Sequence, residues 1–316
     1  MESAIQQVRA FNRTVTRSIG ALSDRYLGRD RPLVESRLLF EVGSRGALVR
    51  EIRARLGLDS GFLSRILRSL ERKGLVTTPS RVTGDRRVRF IRLTRAGLAE
   101  LRRINALSDQ LVRSMLNPLS TEQAARLVTA MTEVERLLRA SSIELTLEHP
   151  RSADAQRCLE QYFREIDARF QAGFDRQIGG SSDIEGFAPP EGHFLVARLF
   201  GEAIGCGGLR VIGSGIGEIK RMWVAPSARG LGIGRRILQG LEEAAACGGL
   251  TTLRLDTNRV LAEARKLYQS SGYHKIARFN DNPYAHHWFE KVLAGPNGKR
   301  PLKGRCSSGQ RVNTAP

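Results

Sequence analysis

Residues Gly217–Gly234 read GEIKRMWVAPSARGLGIG, and this stretch decides the fold of the C-terminal half. Glu218–Val224 has strand character and runs into a turn containing Pro226. Arg229-Gly-Leu-Gly232-Ile-Gly234 then opens a helix expected to run through Leu241. Glycines behind a strand let backbone N–H groups close on a phosphate, and the helix N-terminus adds favourable dipole charge. A dinucleotide-binding turn would need Gly-x-Gly-x-x-Gly and an acid about twenty residues further on. The order here is Arg-x-x-Gly-x-Gly, and the elements before it read as antiparallel strands.

Upstream, Ile143, Leu145 and Leu147 alternate with polar residues, as in a half-buried strand. From there the pattern is strand, helix, several strands, glycine-rich turn, helix, strand, helix, strand, which is α/β (α+β) character with a mixed sheet. LRLDTNRVLAEARKLYQSSGY (Leu253–Tyr273) supplies the next strand and helix, and FNDNPYAHHWFEK (Phe279–Lys291) a terminal strand region. His286 and His287 are adjacent, so on a strand they point to opposite faces and do not make a two-histidine metal site. No metal site is expected, and one of the two is a candidate for the acceptor pocket. Gly173–His193 reads as a long loop.

The order of residues 143–293 resembles the GNAT superfamily of N-acetyltransferases. The resemblance implies acetyl-CoA as cofactor, its pyrophosphate on the loop Arg229, Gly230, Leu231, Gly232, Ile233, Gly234 and Arg235. It places the pantetheine arm along Met222, Trp223 and Val224, Asn258 against the cofactor, and Tyr268 near the thioester sulfur. It also makes Gly173–His193 the usual place for the acceptor site. The chemistry needs a base for the attacking amine and an acid for the departing thiolate. Glu218 is the candidate base and Tyr268 the candidate acid. Glu218 reads alternatively as a partner of Lys220 or Arg221, and Tyr268 as a core aromatic spaced from Ala264.

The N-terminal half carries a different pattern. Val34–Val42 and Leu48–Leu56 read as short helices. A third is N-capped by Asp59 and runs to Lys73, where Gly74 stops it. Leu63, Ile66, Leu67 and Leu70 form its apolar face, leaving Ser60, Gly61, Ser64, Arg65 and Arg68 outside. Leu75–Pro79 and Arg87–Leu93 read as strands of a hairpin about Gly84–Asp85, with Arg86, Arg87 and Arg89 on the projection. Helix, turn, helix and basic wing make a winged helix-turn-helix, a reader of double-stranded DNA. The alternative is a solvated basic face on a helical interaction domain.

The segments LVREIRARLGLDSGFLSRILRSLERKGLV (Leu48–Val76) and GDRRVRFIRLTRAG (Gly84–Gly97) resemble the MarR family of bacterial regulators, over about residues 5–140. The resemblance implies a homodimer through Ile5–Leu22 and Leu98–Leu138. Gly61 departs from a good helix former and costs the first turn about 1 kcal/mol relative to alanine. A long helix through Leu98–Leu111 is expected to break at Pro118, and Ser120 with Gln123 to cap the next as a capping box.

The 316 residues carry a formal charge of +19, with fourteen basic against four acidic side chains between 45 and 95. That focus, rather than the total, supports a nucleic-acid partner for the first half. No run of eighteen apolar residues and no apolar signal segment are present, so no membrane association is expected. Cys158, Cys206, Cys247 and Cys306 form no CxxC pair and suit a reducing cytoplasm. The organisation expected is a regulator domain over 1–141, an acetyltransferase domain over 142–295 and a disordered basic tail over 296–316. The function expected is a DNA-binding regulator joined to an acetyl-CoA-dependent N-acetyltransferase of an amine, a small metabolite rather than a protein. A non-catalytic acetyl-CoA sensor and a protein lysine acetyltransferase stay open.

Overall fold

The computed structural model describes residues 1–78, 89–170, 173–175 and 184–293. It divides into two compact units, Met1–Glu133 and Val134–Pro316, with the division falling inside a helix.

The first unit contains α1 (Glu2–Ser18), α2 (Leu33–Val42), β1 (Ala47–Leu48), α3 (Val49–Leu56), α4 (Ser60–Arg72), β2 (Val76–Thr77), β3 (Phe90–Leu93) and α5 (Arg95–Leu116). It also holds the first part of α6 (Thr121–Ser141). The apolar spacing of α4 buries Leu63, Ile66, Leu67 and Leu70 against Leu38, Leu39, Ile52 and Ile91. Its start is set by Asp59, whose side chain accepts a hydrogen bond from Phe62 N at 2.9 Å. A Cβ on Gly61 would lie 3.2 Å from Asp59 Oδ1, so the glycine leaves the capping carboxylate room. Thr94 caps α5 by accepting from Gly97 N, and its hydroxyl donates to Gly74 O just beyond α4. Ser120 and Gln123 satisfy each other's backbone N–H groups, as the capping box requires.

Two expectations need correction. The apolar residues from Ile5 to Leu22 have helical spacing, but α1 ends at Ser18, because the chain turns at Gly20 (φ +67°) and leaves Leu22 85% exposed. The wing strands are shorter than expected, and β3 also pairs with β1, giving a three-stranded antiparallel sheet in the order β1-β3-β2. A two-residue strand such as β1 has too little pattern to be read from sequence. Gly84, Asp85, Arg86 and Arg87 lie outside the described residues.

The second unit holds the rest of α6, β4 (Ile143–Glu148), α7 (Ala153–Arg169), β5 (Gly192–Leu199), β6 (Glu202–Gly213) and β7 (Ile216–Val224). α8 (Ile233–Cys247), β8 (Thr252–Thr257), α9 (Ala262–Ser270), β9 (His274–Ile276) and β10 (His287–Val292) follow. Its seven strands run in the order β4-β5-β6-β7-β8-β10-β9, antiparallel except for the β7–β8 pair. Both faces are covered. Leu195 and Ala197 of β5 join the core of Ile237, Leu238 and Leu241 from α8. Phe194 and Val196, on the opposite face, pack with Cys158, Leu159 and Phe163 of α7. Among the described residues no helix is long and apolar enough to cross a membrane.

In the first unit, Glu100 of α5 takes both guanidinium contacts of Arg29, at 2.8 and 2.9 Å. The hydrogen bonds from Arg29 hold its carboxyl below the usual glutamate range. A depressed folded-state value stabilises the fold above the unfolded value of about 4.3, and the stabilisation is lost as pH falls through the folded value. Between about pH 6 and about pH 3 the unfolding free energy of Glu100→Gln should therefore fall less than that of the original chain. Denaturant titrations at each pH measure this, and equal losses would show that the pair contributes nothing.

Candidate functional site

The site of the second unit is made by two strands that part. β7 and β8 pair in parallel only from Ile216/Thr252 to Glu218/Arg254. Beyond that point β7 carries a bulge. Gly208 faces Lys220 and Cys206 faces Trp223, so Arg221 and Met222 oppose a single residue. Arg221 takes φ +58°, a left-handed conformation that costs about 1–2 kcal/mol in a residue with a side chain. The Cys206 thiol donates to Arg221 O at 3.4 Å, and the guanidinium lies over Tyr162 and Phe163. Ligands in open α/β sheets sit at such carboxyl-end partings.

One cavity, of about 530 Å³, runs from the end of β7 to the start of α8. Met222, Trp223, Val224, Arg229, Gly230, Gly232, Ile233, Gly234, Arg235 and Tyr268 all line it. Gly230 and Gly232 take φ +81° and +75°, and Cβ atoms there would meet nothing within 4 Å, so the loop is an open backbone cradle. Gly232 caps α8 without a side chain, and no acid sits in the first helical turn. That end therefore presents N–H groups and positive dipole to an anion. Leu231 does not line the cavity and packs in the core at 9% exposure. The two arginines are tied to protein partners. Arg229 pairs with Glu165 of α7, which also accepts from Trp223 Nε1 and pairs with Arg169. Arg235 donates to the Ser270 hydroxyl and carbonyl.

A second cavity, of about 230 Å³, also reaches Tyr268. Tyr162, Ile166, Met222, Leu261, Ala264 and Tyr268 line both cavities, so the two share a wall. Tyr268 is 5% exposed. Burial, with Tyr162 and the Asp256 charge adding to it, pushes its phenol well above the ordinary tyrosine range. Asn258 lines this second cavity rather than the first, donating to Tyr284 O at 2.7 Å.

Glu218 is 1% exposed and lines neither cavity. Arg210 reaches its Oε2 at 2.6 Å, while Lys220 and Asn280 reach Oε1 at 3.1 and 3.0 Å. This is the ion-pair reading of Glu218, with Lys220 as partner. The carboxylate that does line the second cavity is Asp256. Sequence reasoning missed it because an aspartate near a strand end carries no motif. It also missed Tyr162, Glu165 and Arg169, which reach the site only through the packing of α7.

From Phe279–Lys291, neither histidine lines either of these two cavities. His286 precedes β10 and donates its backbone N–H to Thr257 O. His287 begins the strand, and burial with the nearby Arg265 holds its imidazole below the usual histidine range. Asn280, Asn282 and Tyr284 of the same segment supply the lining instead. Of Gly173–His193, Phe174 and Phe187 line the second cavity, and residues 176–183 lie outside the described residues. Among the described residues no group of three or more His, Cys, Asp or Glu is placed to hold a metal ion.

In the first unit Ser60, Gly61, Arg65 and Arg68 are exposed along α4 and Ser64 is half-buried. Ser60, Ser64 and Arg89 line one depression together with Arg50 and Arg53 of α3. The two α3 arginines were not singled out from sequence, because only the tertiary packing brings α3 beside the start of α4.

Residues 156–273 match the acetyltransferase (GNAT) family model and residues 29–87 the MarR family model. An IAA acetyltransferase of Azospirillum brasilense is 36% identical over 124 residues, covering 39% of this chain and 81% of that protein. The N-alpha-acetyltransferase RimI of Mycobacterium tuberculosis is 34% identical over 130 residues, 39% of this chain and 75% of that protein. A crystal structure of a GNAT-family acetyltransferase from Staphylococcus aureus is 20% identical, with TM-score 0.43, covering 48% of this chain and 99% of that one. The chain belongs to the GNAT acetyltransferase family, and it carries a MarR-family domain ahead of the acetyltransferase domain.

Because the cradle depends on backbone conformation, Gly232→Ala should strain it by about 1–2 kcal/mol. Coenzyme A binding should weaken about tenfold, measured by titration calorimetry. Unchanged affinity would remove Gly232 from the anion cradle.

Proposed function

We propose that the second unit transfers an acetyl group from acetyl-CoA to the amino group of a small molecule, and that the first binds double-stranded DNA as a homodimeric regulator in the cytoplasm. The observation that carries the enzymatic reading is the shared wall. A donor in the larger cavity and an acceptor in the smaller one would meet at Tyr268. When bound, acetyl-CoA supplies an activated acyl carbonyl. The chain supplies the cradle of Gly230, Gly232 and the α8 N-terminus for its phosphates. The β7 backbone from Met222 to Val224 lies along the cavity for its pantetheine arm. Tyr268 stays protonated and gives its Oη proton to the departing sulfur. The charge of Glu218 is already matched by Arg210 and Lys220, so its part is to hold the strand ends rather than to act as the base.

A cavity of about 230 Å³ holds roughly eight waters at liquid density, a volume that suits a small acceptor. Tyr268→Phe should lower kcat about 100-fold with coenzyme A affinity retained. Thiol release with a panel of primary amines measures kcat. Binding without turnover in the unaltered chain would instead mark a sensor.

DNA binding is supported by the basic depression beside α4, where Arg50, Arg53 and Arg89 converge. Homodimerisation is supported by α1 and α6, which are apolar on one side yet bury no residue. Ile5, Val8, Phe11, Val128 and Met131 are all exposed along them. If Arg53 contacts a phosphate, Arg53→Ala should reduce the slope of log affinity against log salt by about 0.9. Binding to a mixed-sequence duplex across salt concentrations measures it, and an unaltered slope would exclude that contact.

A further inference from the structure

We propose that Asp256 is the residue that receives the acceptor's ammonium, and that the acceptor is a small primary monoamine carrying a flat apolar group. This rests on the acetyltransferase reading above and assigns the chemistry of its smaller cavity.

Among the described residues lining that cavity, Asp256 is the one carboxylate. Its side chain is 6% exposed and firmly held. Oδ2 accepts from Lys220 Nζ at 2.5 Å and from Asn280 Nδ2 at 2.6 Å, and Oδ1 accepts from Asn282 Nδ2 at 2.8 Å. Trp288 Nε1 donates to Asn280 Oδ1 at 3.0 Å, which fixes the orientation of that amide. An ionised carboxylate offers about four lone-pair sites, of which these neighbours fill three. The remaining capacity is on Oδ1, and Asp256 lines the cavity.

Three aromatic rings line the same cavity. Phe174 and Tyr284 lie 4.8 Å apart between centroids, and Phe170 lies 5.8 Å from each. The Tyr284 ring is placed by its own backbone, whose N–H donates to Asn282 Oδ1 and whose carbonyl accepts from Asn258. The segment 280–284 thus sets both the carboxylate's partners and the ring surface. A flat apolar group stacks on such rings, while its amine reaches Asp256. The other charged lining residues are Arg210 and Lys220, paired with Glu218 and Asp256, and Arg221, so Asp256 is the one described lining group that favours a positive charge, hence a monoamine.

The step balances as follows. Asp256 takes one proton from the ammonium, freeing the nitrogen lone pair. The nitrogen–carbon bond forms, the carbon–sulfur bond breaks, and Tyr268 protonates the sulfur. The tyrosinate recovers a proton from the acylated nitrogen, and Asp256 returns its proton to solvent.

The test uses the full chain saturated with coenzyme A, with phenethylamine and ethylamine as probes. Calorimetry should show phenethylamine binding at least about tenfold tighter than ethylamine. Asp256→Asn should weaken phenethylamine more than about tenfold and leave coenzyme A affinity unchanged, which also shows that the variant is folded. Phe174→Ala should erase the preference between the two amines. With acetyl-CoA, the Asp256→Asn pH–rate profile should shift upward, because only amine already neutral in solution can react. Phenethylamine affinity and a pH profile that survive Asp256→Asn, or equal affinity for both amines, would overturn the proposal. Absence of thiol release with every primary amine would overturn the acetyltransferase reading itself.

Discussion

The enzymatic unit depends on how two buried carboxylates are held where β7 and β8 separate. Glu218 ends the paired part of β7, and Asp256 lies two residues beyond its partner Arg254 on β8. Two like charges buried side by side would be costly without compensation. Lys220 bridges them, with contacts to both, and Asn280 donates to both from the segment before β10. Arg210 of β6 closes the far side of Glu218. The strands can therefore part without leaving a bare charge at the fork. Both cavities lie at the parting, and of the two bulge residues Met222 lines both and Arg221 the smaller one.

The same logic of matched charge holds at the glycine loop before α8. The loop arginines do not stand alone, because Glu165 engages Arg229 and Ser270 engages Arg235. An arginine already paired is a weaker phosphate ligand but a better-positioned one. The fixed backbone dipoles at the start of α8 need no counter-ion. In the first unit the opposite solution appears: many arginines at the surface of a small helical core, with Asp59 engaged in capping.

Much of the first unit was legible because its signals are local. The Asp59 cap, the 3.6-residue apolar spacing of α4, the Ser120–Gln123 box and the stop at Gly74 each act within a few residues. β1 was not legible, since two residues carry no period, and α1 fell short of Leu22 because the glycine turn outranked the apolar spacing. In the second unit the strand, glycine loop and helix around Gly217–Gly234 were legible for the same local reason. The polar side of the smaller cavity was not. Asp256, Asn280 and Asn282 are separated in sequence and acquire meaning only as one hydrogen-bonded cluster.

The sequence by itself determined the order of the two domains, the backbone cradle at Arg229–Gly234 and the basic surface of the first domain, because spacing and composition encode them directly. Only the tertiary structure decided which carboxylate lines the smaller cavity. Glu218 and Asp256 are both acids on neighbouring strands, and nothing in their local sequence separates them. The difference is pairing and exposure. Arg210, Lys220 and Asn280 engage Glu218, which lines neither cavity, while Asp256 lines the smaller one.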